Sequence, residues 1–199
     1  MRFKTSLGAI PLFIIIVLFI VSIPKVSGES LDAKYANTQC GISIQYPSSW
    51  KSGEDNDDST TVTNFIVEIQ PGTDDGFRSP VYIELNDISG LSNRSFAGIK
   101  DIEEEKATTQ GGLSRIITSE GTQIAGYPAQ KIVYAEGLEG TPESSGFKKM
   151  KVLLVAFDRE YVITYDASNS AYYDDYISAF EDMLKTFQIS EPKFDGVNC

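Results

Sequence analysis

The chain has 199 residues, of which 17 are basic, 28 are acidic and none is histidine, so its formal net charge is −11. The absence of histidine excludes Ser-His-Asp and Cys-His catalytic sets, and every zinc or iron site that depends on imidazole ligands. The negative charge makes nucleic acid and anionic lipid unfavourable partners, because both repel an acidic domain.

An apolar segment near the N-terminus predicts export. Two basic residues precede residues 7–23, which are almost wholly apolar, and residues 26–28 offer the small side chains that a signal peptidase accepts. This stretch is shorter than the about 20 residues that cross a bilayer comfortably, so residues 1–28 favour a cleaved signal peptide over an uncleaved anchor. Either alternative predicts a secreted or extracytoplasmic protein, membrane-anchored through residues 7–23 in the second case.

Export would leave a still more acidic domain. Residues 1–28 hold three of the 17 basic residues and none of the 28 acidic ones, so the rest of the chain has a net charge of about −14. Solubility is the main interpretation of this charge. Attraction of divalent cations or of basic partner surfaces is the functional alternative.

Composition divides the exported part into three segments. Residues 29–40 are small and polar and predict a linker, residues 41–190 predict one domain, and residues 191–199 predict a C-terminal tail. A domain of this size is long enough to bury a core without help from metals or several disulfides.

Alternation of apolar and polar residues predicts a series of strands through this domain. The predicted strands lie at residues 42–46, 65–69, 81–85, 113–117, 127–135, 150–157 and 161–165. Residues 152–156 are apolar on both sides, so their strand should lie inside the sheet. Strands that follow each other through short turns favour antiparallel pairing. The fold class that follows is α+β with a central antiparallel sheet.

Two helices are predicted as well. Residues 92–107 carry apolar side chains on neighbouring turns, with Ser95 as the N-cap. Residues 172–189 form a second, strongly amphipathic helix, whose apolar residues fall within an arc of roughly 120°. They are Tyr172, Tyr176, Phe180, Met183, Leu184 and Phe187. A stripe of this width is typical of a core face, so we interpret it as core rather than as a cofactor site.

The chain's two cysteines, Cys40 and Cys199, stand at the two ends of the predicted domain. An exported location permits a disulfide between them, which would close a very long loop and contribute about 4–5 kcal/mol in chain-entropy terms. We favour this intramolecular bridge over the alternative, a thiol of the tail that pairs with another molecule or with none. Trp50, the only tryptophan, is interpreted as a core residue rather than a partner-facing one.

Candidate binding residues lie in two loops. Asp55, Asp57 and Asp58 offer oxygen ligands that suit calcium, although their loop lacks the glycine and the distal glutamate of an EF-hand. A solvated acidic loop is therefore the main interpretation, and a weak calcium site is the alternative. Asn93 begins an Asn-Arg-Ser sequon for N-glycosylation.

Four segments of the domain carry an architectural pattern. They are Tyr46-Pro47-Ser48-Ser49-Trp50, Gly126-Tyr127-Pro128-Ala129, Tyr161-Val162-Ile163-Thr164-Tyr165-Asp166-Ala167 and the apolar stripe of the second helix. Together they resemble the PsbP-like family, whose fold is shared with the Ran-binding Mog1 proteins, from about Tyr35 to Ile189. The resemblance implies a central antiparallel sheet with helices on both faces, an α/β/α sandwich. In photosynthetic members it also implies docking to a membrane complex and help in retaining calcium and chloride.

The chain departs from that family in having no histidine and only a short segment before Cys40. The resulting prediction is a non-catalytic binding or accessory module that docks on a protein partner such as a membrane-associated complex. An acidic protein that binds calcium or manganese through carboxylates is the alternative, and a carboxylate-dependent hydrolase is a remote one. We expect no enzymatic activity, no cofactor apart from weakly bound Ca²⁺ and no nucleic-acid partner. Membrane association is expected only through the N-terminal segment or a membrane complex.

Overall fold

The computed structural model describes residues 29–53, 65–72, 80–91, 93–109, 114–136, 146–167 and 170–193. The strands within them are β1 (Ala33–Asn37), β2 (Ile42–Tyr46), β3 (Trp50–Gly53), β4 (Phe65–Pro71), β5 (Val81–Asp87), β6 (Ser114–Ile124), β7 (Tyr127–Glu136), β8 (Phe147–Ala156), β9 (Arg159–Ala167) and β10 (Gln188–Ile189). The helices are α1 (Phe96–Thr109) and α2 (Ser170–Thr186). Neither of these two described helices has the length and apolar character needed to cross a bilayer. The predicted signal or anchor segment, residues 1–28, lies outside the described residues.

The described strands form two antiparallel sheets. The larger sheet has seven strands in the order β3-β4-β5-β9-β8-β7-β6, and the smaller one has three strands in the order β1-β2-β10. Every described pairing is antiparallel, which confirms the predicted α+β class built on an antiparallel sheet. β8 lies between β9 and β7, as its apolar residues 152–156 predict.

Apolar burial falls into two clusters, and each helix takes part in one of them. The larger cluster joins α2 to strands of both sheets. The smaller cluster joins β7 and β8, with Phe96 of α1 packed against it. β8 contributes Val152 and Leu154 to the larger cluster and Leu153 to the smaller one. This division explains why the sequence of β8 is apolar at successive positions.

The predicted linker at residues 29–40 is wrong in its central part, which forms β1. β1 pairs with β2, with Ala33 opposite Tyr46, and buries the side chain of Tyr35. Its sequence, Ala-Lys-Tyr-Ala-Asn, contains a single large apolar residue, so the alternation of apolar and polar residues that predicts a strand is almost absent. β3 also escapes prediction, because Trp50 is its only buried residue.

The second predicted helix is confirmed over most of its length but ends earlier. α2 ends at Thr186, and the next residues pair with β2 as β10. The Thr186 hydroxyl accepts a hydrogen bond from the Gln45 amide at 2.9 Å, which anchors this helix end on β2. Among the described side chains of α2, the buried ones are Tyr173, Ala179, Phe180, Met183 and Leu184, and Phe187, just after the helix, is buried as well. The side chain of Tyr172, predicted on this face, lies outside the described part of the chain.

Trp50 is buried, which confirms its interpretation as a core residue. Its ring meets Tyr176 of α2 edge-on, with ring centroids 5.7 Å apart. Its indole nitrogen donates a hydrogen bond to the Glu29 carboxylate at 3.1 Å, so the polar atom of the side chain is satisfied. The tryptophan therefore ties β3 to the helix rather than facing a partner.

Candidate functional site at the hairpin turns

Two tight hairpin turns lie side by side at one end of the larger sheet. Ala125 and Gly126 connect β6 to β7, and Phe157 and Asp158 connect β8 to β9. The turns are neighbours because the first residues of β7 pair with the last residues of β8. All four turn residues have positive φ values, of 51°, 85°, 54° and 55° in chain order. Two-residue hairpins favour this backbone form because its twist matches that of the strands.

Phe157 is an unusual residue for such a turn. Asparagine and glycine are the usual occupants, whereas a bulky side chain in left-handed backbone costs about 1–2 kcal/mol. The Phe157 side chain is also 42% exposed, so burial does little to offset that cost. Strained residues of this kind cluster at binding and switch regions, where the surrounding structure holds them in place. The turn at Phe157 is therefore the strongest candidate for a functional position among the described residues.

Neighbouring residues hold this turn in a fixed geometry. The amide of Ile88, just after β5, donates a hydrogen bond to the carbonyl of Asp158 at 3.4 Å. The Asp158 carboxylate lies 3.9 Å from the Arg94 guanidinium, and Arg159 lies 3.2 Å from Asp87. The amide of Ser89 donates to the Asp87 carboxylate at 2.8 Å. These contacts position the turn rather than stabilise it strongly, because exposed ion pairs contribute little.

Electrostatics at Asp87 agree with that geometry. The pKa of Asp87 lies below its usual value, first because the Ser89 amide and hydroxyl donate to the carboxylate and then because of the positive charge of Arg159. The carboxylate is therefore ionised at neutral pH, and it keeps Arg159 beside the turn.

The face around the turns combines apolar and charged groups, and we call it the hairpin-turn surface. The ring of Phe157 contacts Tyr127 edge-on, with centroids 6.1 Å apart, and Leu91 adds a second exposed apolar side chain on the segment that carries Arg94. Its residues are Asp87, Leu91, Arg94, Tyr127, Phe157, Asp158 and Arg159. Aromatic and arginine side chains are enriched in protein–protein interfaces, and the surface combines both.

A buried hydroxyl adjoins this surface. Tyr161 is fully buried in β9, and its hydroxyl has no hydrogen-bond partner among the described residues. Burial raises the pKa of Tyr161 to about 12, and the nearby Tyr127 adds to the increase while Arg159 opposes it. A buried polar group without a partner costs about 1–3 kcal/mol and calls for an explanation in the function or the solvent structure of the site.

We expect Tyr161→Phe to leave stability unchanged or to raise it by about 1 kcal/mol at pH 8, since it removes an unsatisfied hydroxyl. Unfolded tyrosine ionises near pH 10 whereas folded Tyr161 ionises near pH 12, so the native protein loses stability as pH rises between these values. The advantage of the variant should grow by about 1–2 kcal/mol at pH 11.5. Urea titrations at both pH values measure this difference. If Tyr161→Phe is clearly less stable than the native protein at pH 8, the Tyr161 hydroxyl makes a favourable hydrogen bond and is not unsatisfied.

The predicted calcium ligands Asp55, Asp57 and Asp58 lie outside the described residues. Within the part of the chain that the structure describes, no group of three or more acidic, cysteine or histidine side chains could hold a metal ion. The weak calcium site therefore stays a prediction, as do the calcium or manganese protein and the hydrolase that were kept as alternatives.

Asn93 is exposed and lies three residues before the first residue of α1. Its side-chain oxygen accepts hydrogen bonds from the hydroxyl and amide of Ser95, at 2.6 and 3.2 Å. Ser95 in turn accepts from the amide of Gly98 at 3.2 Å, which confirms its predicted role as the N-cap. The structure thus gives Asn93 a part in the helix start, while its glycosylation stays a prediction.

Cys40 lies just before β2 and is almost completely buried. Its sulfur is disulfide-bonded, and its amide donates a hydrogen bond to the Asn37 side chain at 2.9 Å. Cys199, the second cysteine of the sequence, lies outside the described residues. The pairing of Cys40 with Cys199 accordingly stays a prediction.

Sequence reasoning did not find the hairpin-turn surface. It predicts a strand that ends at residue 157 and the next strand from residue 161, and it assigns no functional role to Phe157 or Asp158. A phenylalanine–aspartate pair between two apolar strands, where asparagine–glycine is the common choice, is the signal that could have found it.

A comparison with family models finds no match, and neither does a comparison with curated proteins. Solved structures do match. Cyanobacterial PsbP from Synechocystis sp. PCC 6803 is similar over 79% of this chain and 92% of its own, with a TM-score of 0.56 and 13% identity. The Ran-binding protein Mog1p of Saccharomyces cerevisiae matches over 80% of this chain and 95% of its own, with a TM-score of 0.52 and 10% identity.

LpqN of Mycobacterium tuberculosis, a protein involved in cell envelope biogenesis, is a third solved structure of this shape. It matches over 75% of this chain and 83% of its own, with a TM-score of 0.54 and 11% identity. At such identities the likeness concerns the fold. The chain has a PsbP/Mog1-like fold, as the sequence resemblance predicts.

Proposed function

We propose that this protein is a non-catalytic accessory module that docks on a protein partner through the hairpin-turn surface. The observation that carries the proposal is Phe157, an exposed aromatic side chain held in left-handed backbone by the hydrogen bond between Ile88 and Asp158. Such an arrangement costs stability in the free protein and becomes favourable when a partner covers the ring. Mog1p, a protein of the same fold, is Ran-binding, which supports a role in protein recognition.

We also propose that the fold is an α/β/α sandwich, in which the larger sheet lies between α1 and α2. Val133 of β7 is part of the core cluster that contains α2, whereas its neighbours Ile132 and Tyr134 are part of the cluster against which α1 packs. Successive side chains of a strand point to opposite faces of the sheet. This alternation supports an arrangement in which α1 and α2 cover opposite faces. The turn end of the sheet, which carries Phe157, is then the part left available to a partner.

The proposed setting of this docking is extracytoplasmic, since residues 1–28 predict export. A membrane-associated complex is the proposed kind of partner, and the net charge of −11 favours a partner surface that is basic around an apolar pocket. Binding to such a surface would weaken as salt concentration rises, because salt screens the attraction between charged surfaces.

Phe157→Asn tests the surface without damaging the fold. Asparagine adopts left-handed backbone more readily than phenylalanine, so the free energy of unfolding should stay within about 1 kcal/mol of the native value. Removing a central aromatic anchor should nevertheless weaken partner binding at least about tenfold. The measurement is affinity capture of the protein from its native membrane and exported fractions, with mass spectrometry of what it retains.

Phe147→Asn is the matched control. Phe147 has a similar exposure, 47%, but lies at the opposite end of β8 in ordinary strand backbone. A partner retained by the native protein and by Phe147→Asn but lost by Phe157→Asn supports the proposal. Equal retention by both variants, or no retained partner at any salt concentration, overturns it.

A further inference from the structure

In the part of the chain that the structure describes, β6 forms one edge of the seven-stranded sheet. It is 11 residues long, and no strand of the described residues pairs with its outer side. Residues 117–123 are all exposed. The strand at the other edge, β3, has only 4 described residues. An edge strand presents a row of backbone donors and acceptors that can pair with another strand.

Proteins usually protect such an edge with short strands, proline, several charges or bulges. β6 has no proline and only two charged residues, Arg115 and Glu120. It contains one irregularity, between Ile116 and Thr118, where its register against β7 shifts by one residue. The strand is therefore long and weakly charged, and the protective feature of its own sequence and pairing is a single bulge.

The bulge has a consequence for the two charged residues. They are five positions apart and would point to opposite faces in a regular strand. Because Ile117 is an extra residue, Arg115 lies opposite Ala135 while Glu120 lies opposite Lys131, an even number of positions away on β7. Arg115 and Glu120 therefore point to the same face of the sheet.

This pattern is complementary to itself. When two β6 strands meet antiparallel with Ile117 left out of the pairing in both, Thr118 lies opposite Thr118 of the second copy. Arg115 then lies opposite Glu120 of the second copy, and Ile116 lies opposite Ser119. Every pair shares a face, and two oppositely charged pairs form, each of a kind that contributes about 0.2–1 kcal/mol between strands.

We propose that two copies of this chain associate through β6, in antiparallel register centred on Thr118, and join their seven-stranded sheets into one continuous sheet. The net charge of −11 on each chain opposes association. The described part of β6 carries one positive and one negative residue, so the contact itself adds no like charges. The pairing of β6 is independent of the hairpin-turn surface, which lies at the end of the strands rather than along the edge.

Disulfide trapping tests the register directly in the full chain. Residues directly opposite in an antiparallel pair have Cα atoms about 4.5–5.5 Å apart, which is within the range that a disulfide spans. Thr118→Cys should therefore form a covalent dimer under mild oxidation, seen on a non-reducing gel. Gln123→Cys is the matched control, because two copies of residue 123 would lie about 30 Å apart in this register. We expect at least a tenfold difference in dimer yield.

Charge exchange tests the proposed pairs in the Thr118→Cys background. Arg115→Glu should reduce the yield of dimer severalfold, because it places two acidic residues opposite each other. Adding Glu120→Arg should restore the yield, since the exchanged pair is again complementary. Lys51→Glu, the same charge change on β3, should leave the yield unchanged.

Equal trapping of the two cysteine variants, or no trapping of either, overturns the proposal. So does a double charge exchange that fails to restore the dimer, or a Lys51→Glu variant that reduces the yield as much as Arg115→Glu. Circular dichroism of each variant before oxidation verifies that the compared proteins are folded.

Discussion

Replacing Phe180 by alanine is expected to lower the free energy of unfolding by about 3–5 kcal/mol. Phe180 is fully buried on α2, and its ring stacks on Tyr165 of β9 with centroids 5.4 Å apart. The substitution removes most of a buried aromatic side chain and leaves a cavity that a close-packed interior cannot fill completely. Since α2 contacts β2, β8 and β9, the cavity would lie where both sheets meet the helix.

Tyr165 and Tyr173 explain why this site should relax poorly. The Tyr165 ring also contacts Tyr173, with centroids 5.3 Å apart, and its hydroxyl donates a hydrogen bond to the backbone carbonyl of Tyr173 at 3.2 Å. A tyrosine held at both its ring and its hydroxyl cannot move far into the space left by Phe180. The loss should therefore fall in the upper part of the range for large-to-small core substitutions.

Urea titration of the native protein and the variant measures the loss, and Phe147→Ala is the control. The control makes the same chemical change at a side chain that is 47% exposed, so its cost should stay below about 1 kcal/mol. If Phe180→Ala costs no more than Phe147→Ala, the placement of Phe180 at the centre of the core is wrong.

The core of this fold was the part that sequence could predict. β2, β4 and β5 alternate between apolar and polar residues, whereas β8 and β9 contain apolar residues at successive positions that are buried on both faces of the sheet. In both cases the pattern in the sequence and the burial in the structure agree. The second helix was predicted for the same reason. The prediction left out Tyr173, whose side chain is buried, while the side chain of Tyr172 lies outside the described residues.

β1, β3 and β10 could not be predicted in this way. They are short, and each owes its strand form to the strand beside it rather than to its own alternation; only β10 has a partner, β2, that is distant in sequence. β10 has two residues and follows an amphipathic helix, so its pairing with β2 depends on the position in which folding places these two residues. Contacts of this kind are tertiary, and a local pattern carries no information about them.

The hairpin-turn surface was hidden for a different physical reason. Its distinguishing feature is the sign of the φ angle at Phe157 combined with the exposure of the ring. Apolar residues are ordinarily interpreted as core, and Phe157 directly follows an apolar strand, so periodicity assigns it to β8. Only the backbone geometry separates it from the buried residues before it.

Replacing Gly41 by alanine is expected to cost about 2–4 kcal/mol, from two sources that can be separated. Gly41 has a φ of 70°, which an alanine adopts at a cost of about 1–2 kcal/mol. An added Cβ atom would also overlap the backbone carbonyl of Ser190. The Ser190 amide donates a hydrogen bond to the Gly41 carbonyl at 2.7 Å, so moving Ser190 away breaks a contact that extends the pairing of β10 with β2.

Gly126→Ala isolates the first source. Gly126 has a φ of 85°, but an added Cβ atom would have no neighbour within 4 Å, so only backbone strain should appear, about 1–2 kcal/mol. The excess cost of Gly41→Ala measured by urea titration is then the cost of separating β10 from β2. Amide exchange at Ser190 should accelerate in Gly41→Ala and not in Gly126→Ala, because only the first variant frees that donor. If the two variants lose the same free energy of unfolding, the contact between Gly41 and Ser190 adds nothing to stability. The stability of the smaller sheet would then come from the pairing of β1 with β2.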